Sequence, residues 1–212
     1  NGYSEVYRAQ RMGKWHVLKC LKKEFADKKE YCALLQKEFE LGYHLNHPGI
    51  VRTIGMEDVE GLGTCIVMEY VEGCTLRQAM KEGLTREQSI DILAQLCETL
   101  SYIHQRQIIH RDLKPENIML TTNGRHVKLM DFGLSDADEY TILKQPAGTP
   151  KYAAPEQFST DAAITPHTDI YALGKLVEKM LGGSEEAAQI VEKATRMEPD
   201  RRYSSAEQIK KQ

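Results

Sequence analysis

Cysteine is scarce in this chain of 212 residues, and its spacing follows no known framework. The five cysteines are Cys20, Cys32, Cys65, Cys74 and Cys97. Their number is odd and no Cys-x-x-Cys pair occurs, so neither a disulfide framework nor a zinc site is indicated. We therefore expect a reducing compartment, the cytoplasm, for this segment.

The chain also lacks long apolar runs and an excess of charge of either sign. No stretch approaches the ~18 apolar residues that a membrane-spanning helix requires, and no signal-peptide pattern opens the sequence. We expect no membrane contact from this segment; a membrane anchor outside it is left open. The formal net charge of −3 and the isoelectric point near 6.2 argue against a nucleic-acid partner, which would need a basic surface.

Hydrophobic patterning predicts a strand-rich first third that contains one helix. The strand-like runs lie at 5–9, 16–21, 50–56 and 64–70. Gly13 marks the turn between the first two runs. Apolar residues at mixed spacings of three and four predict a helix from Lys29 to Leu45. A hinge is expected at Glu72-Gly73.

The rest of the chain has a helical pattern. Thr85 and Gln88 form a capping-box signature ahead of a long helix. The apolar face of that helix is expected to carry Ile90, Leu93, Cys97, Leu100 and Ile103. Further helices are predicted over 168–181 and 185–196, and Gly182-Gly183 ends the first of them.

The clearest chemical signal is His110-Arg111-Asp112 with Asn117, followed by Asp131-Phe132-Gly133. This spacing suits one carboxylate that accepts a hydroxyl proton, together with an amide oxygen and a second carboxylate that hold Mg²⁺ on a nucleotide. With the later Ala154-Pro155-Glu156, the chain resembles the eukaryotic-type serine/threonine protein kinases. The segment 200–207 resembles their bacterial members.

The resemblance implies a two-lobed α+β kinase fold. A small antiparallel β-sheet lobe with one regulatory helix is expected over 1–70, a hinge over 71–73 and a larger, mainly helical lobe over 74–212. The family's first strand is expected to be missing from the sequence, which begins inside the glycine-rich loop. The second lobe is shortened at 182–184, where the family usually has an extra helix and loops.

The resemblance also assigns catalytic and metal roles. Asp112 is the expected base, and Asn117 and Asp131 are the expected ligands of Mg²⁺, with Mn²⁺ as the alternative ion. Lys19 ends a run that stands where the family's Val-Ala-Ile-Lys stands, so it should contact the α- and β-phosphates of ATP. Glu38 lies nine residues before His47-Pro48, which matches the helix glutamate that pairs with this lysine.

The nucleotide site is expected to use the glycine-loop remnant and the hinge. If Val6 is the valine that follows the loop, two glycine positions fall on Asn1 and Ser4, and Gly2 remains beside them. The hinge residues would be Met68 at the gatekeeper position, Glu69 through its backbone carbonyl and Val71 through its amide and carbonyl. The residues expected to sandwich the adenine ring are Val6, Val17 and Met119.

Two residues indicate serine/threonine substrates. Lys114 stands two residues after Asp112, where serine/threonine kinases carry a lysine that stabilises the γ-phosphate. Thr149 fits the threonine that bonds the catalytic aspartate and lysine in those enzymes. Small-molecule phosphotransferases of related fold typically lack the stretch seen at 148–156, which makes that alternative the weaker one.

Regulation has two open interpretations. Arg111 could clamp a phosphate on an activation-loop hydroxyl. The candidate hydroxyls are those of Ser135, Tyr140 and Thr141. Alternatively, the acidic side chains of Asp136, Asp138 and Glu139 could occupy the arginine and make phosphorylation unnecessary.

Three structural expectations complete the resemblance. Glu156 should pair with Arg202, and Asp169 should hold the backbone of the catalytic loop. Gly42 stands four residues after Glu38, where active kinases place a bulky apolar side chain. A hole is expected there, with Met56 or Met68 as the residue that fills it.

The function implied is transfer of the γ-phosphate of ATP to serine or threonine hydroxyls of protein substrates. Self-association for autophosphorylation is left open. The alternative is a pseudokinase, a nucleotide-binding scaffold that signals by conformation, which Ser4, Gly42 and the absent first strand would favour.

Overall fold

The computed structural model describes residues 2–132, 151–159 and 161–212. Its first lobe is a four-stranded antiparallel sheet in the order β1-β2-β4-β3, with one helix packed against it. Its elements are β1 (Ser4–Arg11), β2 (Lys14–Leu21), α1 (Lys29–His44), β3 (Thr53–Val59) and β4 (Gly63–Glu69). The predicted small antiparallel lobe with one helix is therefore confirmed.

A tight hairpin joins β1 to β2. Met12 and Gly13 both have positive φ, 47° and 76°, as a two-residue type I′ turn between antiparallel strands requires. The resulting register sets Val6 opposite Lys19. Because side chains alternate across a strand, cross-strand partners share a face, and this register brings Val6 and Lys19 to the same side of the sheet.

The predicted strand at 50–56 was wrong in its first three residues, since β3 begins only at Thr53. Ile50 instead forms a parallel bridge to Leu129, and the Val51 N–H donates to the Leu129 carbonyl at 2.9 Å. Ile50 is buried in the core of the second lobe. An apolar run does not reveal which sheet it joins, and tertiary packing decided it here.

Gly42 lies in close contact with the sheet, with no hole beside it. A Cβ built on Gly42 would overlap the Thr53 hydroxyl oxygen. The predicted gap, and its filling by Met56 or Met68, were therefore wrong: Thr53 occupies the space, while both methionines pack in the apolar cluster around Leu35 and Ile66.

Replacing Gly42 by alanine should destabilise the protein by about 1–3 kcal/mol, the usual cost of overpacking a filled core. The double variant Gly42→Ala/Thr53→Ala should recover most of that loss, because it removes the hydroxyl that the new methyl group meets. Urea unfolding of the wild type, both single variants and the double variant measures the coupling. Purely additive losses would contradict this packing.

The second lobe is mainly helical and includes a small three-stranded sheet in the order β5-β6-β7. Its strands are β5 (Gly73–Thr75), β6 (Ile118–Thr121) and β7 (Val127–Leu129). Its α-helices are α2 (Leu76–Glu82), α3 (Arg86–His104), α4 (Pro166–Leu181), α5 (Glu185–Ala194) and α6 (Ala206–Lys210). Short 3₁₀ turns span Pro115–Asn117, Pro155–Phe158 and Pro199–Arg201. None of the helices in the described ranges is both long and apolar enough to cross a membrane.

The capping box ahead of α3 is confirmed. Thr85 Oγ1 accepts from the Gln88 N–H at 3.2 Å, and the Gln88 side chain accepts from the Thr85 N–H at 3.0 Å. Four of the five residues predicted for the apolar face are buried; Ile90 was wrong as a core residue, because it is 47 % exposed. Ile90 therefore lies on the solvent-exposed side of α3, near its first turn.

Arg202 and Glu156 form the predicted pair, and the structure buries both residues. Arg202 Nη1 and Nη2 donate to the two carboxylate oxygens of Glu156 at 2.6 and 2.8 Å. Arg202 also donates to the backbone carbonyls of Arg196, His167 and Met197. This bidentate ion pair ties the chain that follows α5 to the segment ahead of α4.

Candidate active site

A cavity of about 260 Å³ lies between the two lobes. The lining residues expected from the sequence are Ser4, Val6, Val17, Lys19, Glu38, Met68, Glu69, Val71, Met119 and Asp131. Three further lining residues, Val51, Tyr70 and Met130, were missed. Tyr70 and Met130 are chain neighbours of predicted residues and could have been found. Val51 carried no local signal, because the bridge from its neighbour Ile50 to Leu129 brings it to the cavity.

The glycine-loop remnant lies at one end of the cavity. Ser4 is buried and begins β1. The Tyr3 ring lies against Tyr31 of α1, with centroids 5.6 Å apart. Gly2 lies outside the described lining, and its carbonyl accepts from Lys22 Nζ at 2.7 Å. Of the predicted loop residues, the structure therefore brings Ser4 but not Gly2 to the cavity wall.

Lys19 is buried in the wall of the cavity, between two carboxylates. Its Nζ donates to Glu38 Oε1 at 2.5 Å and to Asp131 Oδ1 at 2.8 Å. Strand β2, helix α1 and the segment that follows β7 therefore meet at one ammonium group. The contact with Glu38 had been predicted from the family resemblance, whereas the contact with Asp131 had not.

The three charges shift one another's pKa. Burial opposes the charged form of Lys19, but Asp131 and Glu38 outweigh it and raise the lysine pKa. Burial likewise opposes ionisation of Asp131, but the charge and hydrogen bond of Lys19 hold the pKa of that carboxyl well below its usual range. Burial raises the pKa of Glu38, and Lys19 offsets only part of this. At neutral pH the result is a charged lysine beside an ionised Asp131.

Asp112 lies at the centre of a compact polar group. Its Oδ2 accepts from Lys114 Nζ at 2.6 Å and from Asn117 Nδ2 at 3.0 Å. Asn117 Nδ2 also donates to the Asp112 backbone carbonyl at 2.9 Å. Asp112 and Asn117 are both buried, so this geometry is held by packing as well as by hydrogen bonds.

Two residues close to this polar group have a strained backbone conformation. Arg111 and Asp131 have φ of 65° and 67°, in the left-handed region. Such residues cost on the order of 1–3 kcal/mol each and persist where their surroundings hold them. Asp169 on α4 provides part of that hold, because its carboxylate accepts from the N–H groups of His110 and Arg111, each at 2.9 Å. The predicted role of Asp169 is thus confirmed.

The loop with Asp112 is also fixed to the segment with Asp131. The Met130 N–H donates to the Asn117 carbonyl at 3.0 Å. The rings of His110 and Phe132 lie 5.1 Å apart, edge to face. Asn117 and Asp131 are therefore carried by adjoining backbone segments at one end of β6 and β7.

Some predicted residues lie outside the described residues. They are Asn1, Gly133, the acidic residues Asp136, Asp138 and Glu139, the candidate phosphorylation sites Ser135, Tyr140 and Thr141, and Thr149.

Comparison with known proteins identifies relatives over most of the chain. The model of the protein kinase domain family matches residues 2–212. A probable serine/threonine-protein kinase of Streptomyces coelicolor, SCO3848, is 35% identical over 192 residues, which cover 85% of this chain and 28% of that protein. The serine/threonine-protein kinase PknB of Mycobacterium tuberculosis is 36% identical over 194 residues, 86% of this chain and 31% of PknB. The chain thus spans about a third of the length of these curated relatives.

A solved structure shares the fold. The PknI kinase domain of Mycobacterium tuberculosis superimposes with a TM-score of 0.78 at 25% sequence identity, over 100% of this chain and 90% of that one. The predicted two-lobed fold is confirmed by this match.

Proposed function

The chain belongs to the protein kinase domain family, and from this premise we propose that it is an active serine/threonine protein kinase. It transfers the γ-phosphate of ATP to serine and threonine hydroxyls of protein substrates. The observation that carries the proposal is Lys19, which contacts Glu38 and Asp131 together. In this family an active site needs the lysine–glutamate pair and the metal-binding aspartate in place at once. A pseudokinase scaffold would not require this arrangement.

ATP fills the cavity in this proposal. Val6, Val17 and Met119 hold the adenine ring, and the backbone of Glu69 and Val71 forms hydrogen bonds with its edge. The charged Lys19 then faces the α- and β-phosphates. Ser4 lets the backbone of β1 approach the phosphates, because its side chain is small.

A divalent cation suits the donors present. Asn117 uses its amide nitrogen on Asp112, so the amide oxygen is the atom offered to a cation. Asp131 supplies a carboxylate oxygen, and its lowered pKa keeps it ionised. Such hard oxygen donors fit Mg²⁺, with Mn²⁺ as the alternative. When bound, the ion neutralises charge on the transferred phosphoryl group.

Asp112 orients the substrate hydroxyl and accepts its proton while the phosphoryl group is transferred in line. Lys114, whose Nζ lies 2.6 Å from Asp112 Oδ2, balances the carboxylate before transfer and stabilises the γ-phosphate during it. Lys114 also supports the serine/threonine assignment, as do the names of the curated relatives. Thr149 is proposed to bond both residues.

Transfer of phosphate from γ-labelled ATP to a generic basic protein tests the proposal. The wild type should label serine and threonine in the presence of Mg²⁺, and chelation of the metal should abolish labelling. Lys19→Met should lower the rate by about 100-fold or more, because a buried phosphate-facing cation is lost. Lys14→Met, an exposed lysine on the same strand, should retain the rate.

The alternative function, a pseudokinase scaffold, predicts a different outcome of the same assay. If ATP raises the unfolding temperature of the wild type but no phosphate is transferred, the chain is a nucleotide-binding scaffold.

A further inference from the structure

Glu69 is anchored by its side chain as well as by its backbone. Its Oε1 accepts from Lys128 Nζ at 2.6 Å and from the Arg52 N–H at 2.9 Å. The Glu69 N–H donates to the Arg52 carbonyl at 2.9 Å. The last residue of β4 is thus fixed to the chain that leads into β3 and to a lysine of the second lobe.

Lys128 projects from a firmly held strand. Its neighbours Val127 and Leu129 are buried in the core of the second lobe. Leu129 also exchanges backbone hydrogen bonds with Gly49 and Val51, at 2.7 and 2.9 Å. The Lys128 and Glu69 side chains are 20% and 31% exposed, so solvent screens their charges only in part.

The hinge is the segment 70–72 that joins β4 to β5, and its Tyr70 ring lies 6.5 Å from the ring of Trp15 on β2. Residues 70–72 belong to no strand or helix, and Tyr70 and Glu72 are exposed. The far end of the hinge is held where the Glu72 carbonyl accepts from the Thr122 N–H at 2.8 Å. The near end is held at Glu69. The orientation of the backbone between these anchors therefore depends on both.

We propose that Lys128 is a positioning residue that sets the nucleotide selectivity of this site. It lies outside the described lining of the cavity and acts through the Glu69 carboxylate, by fixing the backbone groups that bond the base. The inference rests on the proposed function, in which the Glu69 carbonyl and the Val71 amide bond the edge of adenine.

The selectivity follows from donor and acceptor patterns. Adenine offers an amino donor and a ring-nitrogen acceptor, which match a carbonyl and an N–H. Guanine in the same pose offers an oxygen acceptor and a ring N–H donor, so each group would face its like. A fixed hinge cannot turn to relieve this mismatch, and unpaired buried polar groups strongly disfavour the wrong ligand. A loosened hinge would bind adenine less well and reject guanine less well.

Kinetics with ATP and GTP test the proposal on the whole chain. Lys128→Met should raise KM for ATP about fivefold and leave kcat within about twofold, because the loss of a partly buried ion pair weakens binding by roughly that factor. The ratio of kcat/KM for ATP to that for GTP should fall by a similar factor. Lys128→Arg should restore both values. The matched control is Lys175→Met, which removes a lysine bonded to Glu178 on α4 and should leave the ratio unchanged.

Calorimetric titration of ATP and GTP gives the same ratio without turnover. An unchanged ratio in Lys128→Met, or an equal fall in Lys175→Met, would overturn the proposal. A wild type that binds GTP as well as ATP would overturn it too. Selective ATP binding without phosphate transfer would instead reject the proposed function, and the binding ratio of Lys128→Met would still decide the role of Lys128.

Discussion

Asp112→Asn is expected to lower kcat by about 100-fold or more while the dissociation constant for ATP stays close to that of the wild type. A positioned base contributes about 10²–10⁴ to such a rate. The asparagine oxygen can still accept from Lys114, so the packing of the loop is retained. The proton of the substrate hydroxyl, however, loses its acceptor.

Steady-state transfer and calorimetric ATP binding, measured on the same preparations, separate the two effects. Asp200→Asn is a matched control, since Asp200 is an exposed aspartate in the turn Pro199–Arg201. A rate for Asp112→Asn within tenfold of the wild type would contradict the base assignment. A parallel loss of ATP binding would mean that the residue holds the site together rather than acting on the hydroxyl.

The geometry of the loop that carries Asp112 was predictable because its contacts are local. Asp112 and Asn117 are five residues apart, and the turn Pro115–Asn117 between them turns the amide back onto the carboxylate. The lobes and most element bounds were predictable for a similar reason: capping boxes, turns and apolar periods are short-range signals. The pairing of Lys19 with Glu38 needed the family resemblance, since no local rule links a strand lysine to a helix glutamate 19 residues away.

What could not be predicted depends on contacts between distant segments. Thr53 fills the space beside Gly42 because β3 packs on α1, and nothing near either residue in the sequence reports this. Val51 reaches the cavity through the bridge from Ile50 to Leu129. The two hydrogen bonds to the Glu69 carboxylate depend on the same bridge, because Arg52 comes from the chain that leads into β3 and Lys128 comes from the second lobe. Each case depends on how distant segments are aligned in the folded chain, and the spacing of apolar residues does not determine that alignment.

The electrostatics of the cavity explain why its assembly matters. Asp131 keeps its lowered pKa through Lys19, and burial alone would raise it. Displacement of α1 would remove Glu38 from Lys19 and leave the lysine to Asp131 alone. The lysine would then neutralise the aspartate that is proposed to hold the cation. In the structure Glu38 shares the Lys19 ammonium group with Asp131.

Arg202→Met is expected to cause the largest loss of stability, about 3–5 kcal/mol, because it leaves Glu156 buried without its counter-charge. It also removes the donors to the backbone carbonyls of Arg196, His167 and Met197. Activity should fall as well. The neighbouring Gln157 side chain donates to the Arg111 carbonyl at 2.8 Å, so loosening this segment disturbs the loop that carries Asp112.

Denaturant unfolding across a double-mutant cycle with Glu156→Gln isolates the pair, and the double variant should lose less stability than the sum of the two single losses.

The pH dependence of stability gives a second readout. Burial opposes ionisation of Glu156, but the hydrogen bonds from Arg202 hold the pKa of that carboxyl below its usual value. Because the folded-state pKa is depressed, the stabilisation is present at neutral pH and is lost as the pH falls through the lowered value. Glu156→Gln should therefore lose less stability in acid than the wild type does.

The exposed pair of Arg11 with Glu57 supplies the control for Arg202→Met, and Arg11→Met should change stability far less. Similar losses for Arg11→Met and Arg202→Met would show that burial of the ion pair is not what makes Arg202 important.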